Sequence, residues 1–185
     1  MRLFINACVR KASRTKELAD CFLARQCGPF EEVRLDAIAF PTANESFLEK
    51  RERLIQEKDF SNPLFDLARQ FAAADDIVIA APFWDLSFPA LLKLYFEQIS
   101  VTGITFVYTP EGIPAGLCKA GRLTYITTAG GNFFPEEYGP GYVRALAQNF
   151  YGIPEFRLIK ATGLDLDGAD IDRIMNTAKA DIESK

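Results

Sequence analysis

The fold of this chain is decided by one stretch, Ile77-Val78-Ile79-Ala80-Ala81-Pro82-Phe83-Trp84-Asp85. Its first part, residues 77–81, is an unbroken apolar run, which is typical of a strand buried on both faces of a parallel sheet. Pro82 ends the run and begins a loop that carries two aromatic side chains. Serine and proline residues just beyond Asp85 suit the start of a helix, which apolar residues between 91 and 99 continue. The stretch therefore predicts a strand, a loop and a helix in succession.

The same succession recurs along the chain. A strand over residues 2–7 precedes a helix that begins at Ser13-Arg14-Thr15 and ends near Gly28-Pro29. The charged segment 44–58 predicts either a solvated helix or a mobile cover beside the binding pocket. Further strands are predicted over residues 32–35, 123–128 and 156–161, and further helices from Asn62-Pro63 onwards and over residues 142–150 and 171–182.

Strands that alternate with helices predict right-handed crossovers and a parallel sheet. We expect residues 1–185 to form a single α/β domain, with five parallel strands in the order 2-1-3-4-5 and helices on both faces. In such a sheet the ligand binds outside the carboxyl ends of the strands, where the strand order reverses. The loops over residues 8–15, 82–88 and 128–134 are therefore the predicted site.

The first loop is suited to an anion. Ser13, Arg14 and Thr15 stand at a helix N-terminus, where backbone N–H groups, the helix dipole, two hydroxyls and a guanidinium would converge on a phosphate. A simple N-cap explains the same residues, because Ser and Thr are usual capping residues. The loop has no GxGxxG and no Walker glycines, which argues against a dinucleotide or a nucleoside triphosphate as the main ligand.

The second and third loops are suited to a planar ring. Phe83 and Trp84 offer aromatic faces to a heterocycle such as an isoalloxazine, and packing under the following helix is an equal alternative. Asp85 fits a helix-entry cap, a surface charge or an acceptor for a flavin N3–H. Gly130 and Gly131 let the backbone approach a ligand closely, although a tight turn explains the pair as well. Because all three loops fall where the fold predicts one pocket, the combination favours a bound flavin.

Composition narrows the class of partner. The net charge is −4, from 21 basic and 25 acidic residues, so there is no excess of positive charge to neutralise a nucleic-acid backbone. No apolar run approaches the ~20 residues needed to span a bilayer. The amino terminus begins directly as a strand, without the apolar region of an export signal. We therefore expect a cytoplasmic protein whose partners are neither nucleic acids nor membranes.

The chain also contains few of the residue types that commonly act in catalysis. The chain contains no histidine, which removes the usual general base and the commonest transition-metal ligand, and no metal site is predicted. The four cysteines form no CxxC pair and are expected to be buried small hydrophobes; they are Cys8, Cys21, Cys27 and Cys118. An enzyme with these residues must borrow its chemistry or use carboxylates, Tyr or Lys.

At this point the residues resemble the FMN-dependent NAD(P)H:quinone and azo-dye reductases of the flavodoxin-like superfamily, the azoreductase family in particular. The resemblance is carried by Ile79-Ala80-Ala81-Pro82-Phe83-Trp84-Asp85-Leu86, Leu92-Lys93-Leu94-Tyr95-Phe96, Gly103-Ile104-Thr105-Phe106-Val107-Tyr108-Thr109 and Ile126-Thr127-Thr128-Ala129-Gly130-Gly131. It covers residues 77–132, and residues 2–25 more loosely. It implies a flavodoxin-like three-layer sandwich and a homodimer with the flavin at the subunit interface.

The resemblance also implies a role for each matched residue. The phosphate turn corresponds to Ser13, Arg14 and Thr15, the loop beside the isoalloxazine to Pro82, Phe83, Trp84, Asp85 and Leu86, and the loop at its pyrimidine end to Thr128, Ala129, Gly130 and Gly131. Phe106 and Tyr108 match aromatic residues that wall the substrate side near a dimer partner, and Tyr108 is a candidate proton donor. Asp85 stands where relatives often have Asn, and Ala129 where a larger polar residue is common.

The function that the resemblance implies is reduction of a quinone, an azo compound or a similar planar acceptor. NADH or NADPH would deliver hydride to flavin N5 and leave, and the acceptor would then take the electrons in the same space, a ping-pong scheme in which the cofactor carries the chemistry. Two alternatives remain open at this point. One is an electron-carrier flavodoxin, and the other is a flavin-free binding protein of the same fold.

Overall fold

Five parallel strands form the central sheet of the computed structural model, which describes residues 1–183. In chain order the strands are β1 (Arg2–Asn6), β2 (Glu31–Arg34), β3 (Asp76–Ala80), β4 (Phe106–Tyr108), β5 (Pro114–Gly116), β6 (Arg122–Thr128) and β7 (Glu155–Ala161). The sheet order is β2-β1-β3-β6-β7 and every pair is parallel, while β4 and β5 form a separate antiparallel hairpin. The predicted order 2-1-3-4-5 is confirmed, and each predicted strand lies within one residue of its observed bounds.

Helices cover both faces of this sheet. They are α1 (Arg14–Leu23), α2 (Glu45–Gln56), α3 (Asp66–Ala73), α4 (Ala90–Ile99), α5 (Pro140–Ala145) and α6 (Ile171–Glu183). A 3₁₀ turn over Pro63–Phe65 leads into α3, and a π-helical turn over Leu146–Phe150 extends α5. The predicted three-layer sandwich is therefore confirmed.

Alternation along the strands divides the core in two. On β3, Ile77 and Ile79 face one layer, whereas Val78 faces the other, because successive strand residues point to opposite sides. The first layer contains α2, α3, α4 and α5, and the second contains α1 and α6. All five residues of β3 are buried, as expected for the central strand of a sheet covered on both faces.

Two helices differ from the sequence prediction. Helix α1 ends at Leu23 with Ala24 as its C-cap, before the Gly28-Pro29 pair, so residues beyond it form turns. The charged segment 44–58 forms a regular helix rather than a mobile cover. Asn44 caps α2 by accepting from the amide of Phe47, and Leu54 joins the core.

The β4–β5 hairpin has no counterpart in the sequence prediction. Each of its strands is only three residues long, which is too short to show an alternating pattern. Its position depends on Gly116, where a Cβ would lie 2.0 Å from the backbone carbon of Tyr151. Glycine therefore allows the hairpin to lie directly on the backbone that follows α5.

None of the helices within residues 1–183 combines the length and the apolar character needed to cross a membrane. Over the same residues, no group of three or more His, Cys, Asp or Glu side chains is arranged to hold a metal ion.

Candidate functional site

The three predicted loops meet in one cleft at the carboxyl edge of the sheet. The cleft has a volume of about 860 Å³. It lies where β1 and β3 end, beside the point at which the strand order reverses. Its lining residues are Cys8, Val9, Arg10, Lys11, Ala12, Ser13, Arg14, Thr15, Lys16, Glu17, Asp20, Pro82, Phe83, Trp84, Thr128, Ala129, Gly130, Leu164 and Asp165.

The first loop presents a run of backbone donors to this cleft. Among residues 1–183, the amides from Val9 to Thr15 find no acceptor in the protein, whereas the flanking amides do: Cys8 donates to Asn6 Oδ1 and Lys16 to Ser13 Oγ. The last of these free donors stand at the N-terminus of α1, where the first amides have no intrahelical partner and the helix dipole is positive. Such a run of N–H groups favours an anion.

Ser13 is an N-cap. Its backbone is extended, with φ −102° and ψ 117°, and its Oγ accepts from the amide of Lys16 at 3.3 Å. The capping alternative raised from the sequence is thus correct for the side chain. It does not compete with the anion site, because the loop's donors are main-chain N–H groups that the cap leaves free.

A buried hydroxyl pair ties the first loop to the third. Thr15 Oγ1 and Thr128 Oγ1 are 2.6 Å apart, and the two residues are 1% and 8% exposed. Thr15 lies in the first turn of α1 and Thr128 is the last residue of β6. The pair therefore fixes the start of the helix relative to the end of a central strand.

Arg14 is engaged by a loop that the sequence reading did not consider. Its Nη1 donates to Asp165 Oδ1 at 2.8 Å and to the carbonyl of Leu164 at 3.2 Å. Both acceptors follow β7. The pair is solvent-facing, with side chains 38% and 71% exposed. The guanidinium predicted to meet a phosphate already has a carboxylate partner.

The second loop contains a strained turn. Trp84 and Ser87 exchange backbone hydrogen bonds of 3.2 and 2.7 Å, and the two residues between them, Asp85 and Leu86, both have positive φ, 51° and 65°. This is the pattern of a type I′ turn, which ordinarily selects Asn or Gly. In the described chain the amides of Asp85 and Leu86 have no acceptor, whereas that of Phe83 donates to the carbonyl of Thr128 at 2.9 Å.

The two aromatic side chains of this loop differ. The Phe83 ring lines the cleft and packs against Phe134, with centroids 4.4 Å apart, in the loop before α5 rather than under the following helix. Trp84 is 36% exposed and lines the cleft, and the guanidinium of Arg10 lies over its ring at 5.8 Å. Trp84 is thus the aromatic face that remains open to a ligand.

The third loop pairs with the loop that follows β7. The amides of Leu164 and Asp165 donate to the carbonyls of Ala129 and Gly130. The amides of Gly130 and Gly131 themselves donate to no backbone acceptor among residues 1–183. A Cβ on Gly130 would lie 2.3 Å from Asp165 Oδ2, so a side chain here would displace the Asp165 carboxylate.

The charges around the cleft are unevenly matched. Lys16 pairs with Asp20 at 2.5 Å and Glu17 with Lys179 at 2.6 Å. Within the described part of the chain, Arg10 and Lys11 have no carboxylate partner. A local positive field thus remains at the first loop of an acidic protein.

Cys8 lines the cleft but is poorly suited to act as a nucleophile. Burial raises the pKa of its thiol to about 11, which outweighs the opposing effect of the hydrogen bond with Ser13. The thiol is therefore protonated at neutral pH. All four cysteines are free, but none is fully buried as expected: Cys8, Cys21 and Cys118 are partly buried and Cys27 is exposed.

Several predicted site residues lie outside the lining. Asp85, Leu86 and Gly131 adjoin it without lining it, and the 44–58 segment does not flank it. Phe106 is 4% exposed and packs on Phe150 at 4.1 Å, while Tyr108 is 55% exposed on the hairpin. Within one chain, neither Phe106 nor Tyr108 reaches the cleft.

Sequence reasoning missed two groups of lining residues. The first is the basic pair of the first loop, Arg10 and Lys11, whose signal was a cluster of positive charge in a chain of net charge −4. The second is Leu164 and Asp165. The rule that ligands bind at the carboxyl ends of strands applies to β7 as well and would have included them.

A family model and sequence relatives both assign this chain to one family. A family model described as the flavodoxin-like fold matches residues 2–185. A relative from Clostridium acetobutylicum named FMN-dependent NADH:quinone oxidoreductase 2 is 39% identical over 182 residues, covering 92% of this chain and 88% of that protein. An FMN-dependent NADH:quinone oxidoreductase from Clostridium beijerinckii is 35% identical over 185 residues, covering 94% and 90%.

Solved structures agree with the fold. An azoreductase from Bacillus anthracis str. Sterne has a TM-score of 0.85 at 22% identity, covering 99% of this chain and 96% of that one. An FMN-dependent NADH-azoreductase from Bacillus anthracis str. Ames Ancestor, in complex with FMN, has a TM-score of 0.82 at 24% identity, covering 99% and 95%.

Proposed function

Because the chain belongs to the family with the flavodoxin-like fold, and its relatives of 35–39% identity are FMN-dependent NADH:quinone oxidoreductases, we propose that it is an enzyme of that kind. It uses FMN to pass electrons from NADH to a quinone or another planar acceptor such as an azo compound. The observation that carries the proposal is the run of unpaired amides from Val9 to Thr15 along the cleft. The naming of these relatives favours an enzyme over an electron carrier.

The residues present fit the phosphate of FMN. The amides of residues 9–15, the N-terminus of α1 and the unpaired cations Arg10 and Lys11 all act on the same part of the cleft. A phosphomonoester carries close to two negative charges at neutral pH, and each of these groups is favourable to it. We propose that the main-chain amides are the principal phosphate ligands, with Ser13, Arg14 and Thr15 at their helical end.

The residues also fit the ring. Trp84 offers an exposed aromatic face, Pro82 and Phe83 continue the same wall, and the free amides of Asp85 and Leu86 are donors for the polar edge of an isoalloxazine. Thr128 and Ala129 lie beside this loop, since the Phe83 amide donates to the Thr128 carbonyl, and they extend the wall. The free amides of Gly130 and Gly131 supply donors toward the pyrimidine end, where negative charge develops on reduction.

The cofactor, when bound, supplies the hydride and electron transfer that the side chains cannot supply. The protein's part is to bind, orient and shield. The cleft contains no histidine, and its one thiol, Cys8, is protonated at neutral pH. Binding by main-chain amides holds the ring edge in a fixed place and directs positive dipoles at it without any proton transfer from the protein.

The test is a spectrum before and after anaerobic addition of NADH to protein loaded with FMN. We expect a yellow protein that bleaches with NADH alone and recovers when a quinone is added. Bleaching only in the presence of a partner reductase would favour an electron carrier, and failure to bind FMN would favour a flavin-free binding protein. NADPH in a parallel sample determines which dinucleotide is preferred.

A second measurement tests the phosphate site separately. If the amides of residues 9–15 hold the phosphate, FMN should bind at least about tenfold tighter than riboflavin, a difference of about 1.4 kcal/mol. Trp84 is the chain's only tryptophan and lines the cleft, so its fluorescence reports binding of both ligands. Equal affinities would place the phosphate away from these amides.

We further propose a homodimer that completes the substrate side of the site. The hairpin exposes a group of large apolar side chains, Tyr108, Ile113 and Leu117, which are 55%, 61% and 46% exposed. Phe106 and Tyr108 do not reach their own cleft, so a role for Tyr108 at the substrate, including proton donation, needs the hairpin of a second copy. Sedimentation at micromolar concentration should give a dimer, and Tyr108→Glu should shift it toward monomer.

A cytoplasmic location is also proposed. The four cysteines are all free, which fits a reducing compartment, and NADH is a cytoplasmic reductant. Fractionation of cells that express the protein at native levels tests this, and recovery outside the cytoplasm would contradict it.

A further inference from the structure

We propose that Asp165 is an internal competitor of the flavin phosphate for Arg14, and so sets how strongly the protein distinguishes FMN from riboflavin. The inference rests on the proposed function, because it assumes that the cleft holds FMN. It concerns a residue on the loop after β7, outside the three loops to which the resemblance assigns flavin contacts.

Arg14 and Asp165 both line the cleft, and the Asp165 carboxylate engages the guanidinium there. Arg14 Nη1 gives both of its hydrogen bonds to this loop, to Asp165 Oδ1 at 2.8 Å and to the carbonyl of Leu164 at 3.2 Å. A bidentate contact with phosphate needs two parallel N–H groups. With Nη1 engaged, the Nη1–Nη2 edge is closed to phosphate until Asp165 moves away.

Asp165 is held in this place by its own backbone. Its amide donates to the carbonyl of Gly130 at 2.9 Å, and its carboxylate lies over Gly130 at a distance that a Cβ there would not permit. The side chain lines the cleft. The anchored backbone thus presents a carboxylate to a cleft whose first loop favours anions.

The charges show why this matters. Each acidic residue of the lining has a basic partner: Glu17 pairs with Lys179, Asp20 with Lys16, and Asp165 with Arg14. The first two pairs join residues on helix surfaces, whereas the third engages Arg14, which begins α1 at the end of the run of free amides. An incoming phosphate therefore meets a neutral pair at the helix start, and Asp165 also repels it directly.

The substitution Asp165→Asn removes the charge and keeps the shape, so the contact with Gly130 survives. The Arg14–Asp165 ion pair is exposed, so separating the two side chains costs little. The variant therefore binds the phosphate more tightly mainly because the positive charge of Arg14 is no longer neutralised. We expect the Kd for FMN to fall by about five- to tenfold, and the Kd for riboflavin to change by less than about twofold. The affinity of the variant for FMN should also depend more steeply on salt, because it contains a larger charge term.

Two further proteins make the test specific. Asp167→Asn removes the same charge two residues away, at an exposed position that does not line the cleft, and should leave both affinities unchanged. In an Arg14→Gln background, Asp165→Asn should have a smaller effect on FMN, because the group under competition is gone. Kd values come from quenching of flavin and Trp84 fluorescence, without any activity measurement.

The outcomes separate the inference from the proposed function. A gain for FMN alone that shrinks in the Arg14→Gln background supports competition. If Asp165→Asn weakens FMN binding or leaves it unchanged, the competition is refuted, and a weakening would mean that Asp165 positions Arg14 for the phosphate. If the unmodified protein binds no flavin at all, the proposed function fails as well. A riboflavin gain equal to the FMN gain refutes the role in discrimination.

Discussion

The hydroxyl pair between α1 and β6 holds the start of the helix against the end of the strand at the cleft. The loss of stability on removing this hydrogen bond can be predicted. Thr15 and Thr128 share a hydrogen bond of 2.6 Å in a buried place. Thr128→Val removes one partner and leaves the Thr15 hydroxyl, on a residue only 1% exposed, without its hydrogen-bond partner. A buried polar group left unpaired costs roughly 1–3 kcal/mol, so we expect a loss of about 2 kcal/mol in the free energy of unfolding.

Substitution of the other threonine and the double variant should each lower the free energy of unfolding by a different amount. Thr15→Val leaves the hydroxyl of Thr128, which is 8% exposed and borders the cleft, where water reaches it. We expect a loss of about 1 kcal/mol. In the double variant no hydroxyl is left unpaired, so its loss should be smaller than the sum of the two single losses by at least about 1 kcal/mol.

The assay is urea unfolding of the flavin-free proteins, followed by far-ultraviolet circular dichroism, with the midpoint compared at constant slope. Thr124→Val is the matched control. Thr124 is a fully buried threonine of the same strand whose hydroxyl has no partner among residues 1–183. Its replacement should cost less than about 0.5 kcal/mol or stabilise the protein, because no hydrogen bond is lost. Additive single effects, or singles as stable as Thr124→Val, would refute the reasoning.

Three other predictions concern the backbone and the thiol. Leu86→Gly should raise the free energy of unfolding by about 0.5–1 kcal/mol, because glycine adopts the positive φ of this turn without strain. A thermal melt measures this, and a lower melting temperature would contradict the assigned strain. Gly116→Ala should cost more than about 3 kcal/mol or prevent folding, because its Cβ would meet the backbone of Tyr151, and a soluble variant with unchanged circular dichroism and melting temperature would contradict the close approach. Cys8 of the flavin-free protein should resist alkylation near pH 7 and react progressively as the pH rises toward 11, since burial raises its pKa to about 11; peptide mapping measures this, with exposed Cys27 as the internal comparison.

Much of the architecture follows from the sequence because its signals are local. The buried strand over Asp76–Ala80 is apolar from Ile77 onwards, and the strands that follow alternate with helices along the chain. The five-strand order could therefore be predicted before any coordinates. The end of α1 was placed too late, because Gly28-Pro29 is a clear stop signal while the actual end, at Leu23, has none. The hairpin was not predicted because its strands show no alternation of apolar and polar residues. Its position depends instead on the close backbone approach that Gly116 allows.

The site was predicted at the level of loops and less well at the level of atoms. Ser13 and Phe83 were predicted to contact the flavin, and both line the cleft; what the sequence did not show is that the Phe83 ring also packs on Phe134. The free donors are amides, and no residue type identifies which amides lack partners. The engagement of Arg14 by Asp165 joins residues about 150 positions apart, which no local pattern can show.

The run of free amides from Val9 to Thr15 has a consequence for how such a site changes over evolution. A main-chain donor is present whatever side chain accompanies it, proline excepted, so nearly every substitution along the loop preserves the grip on an anion. Most amino-acid substitutions in this loop are therefore tolerated, whereas insertions, deletions and substitutions by proline are not. Searches for distant homologues of this cleft should therefore weigh loop length and helix entry above residue identity.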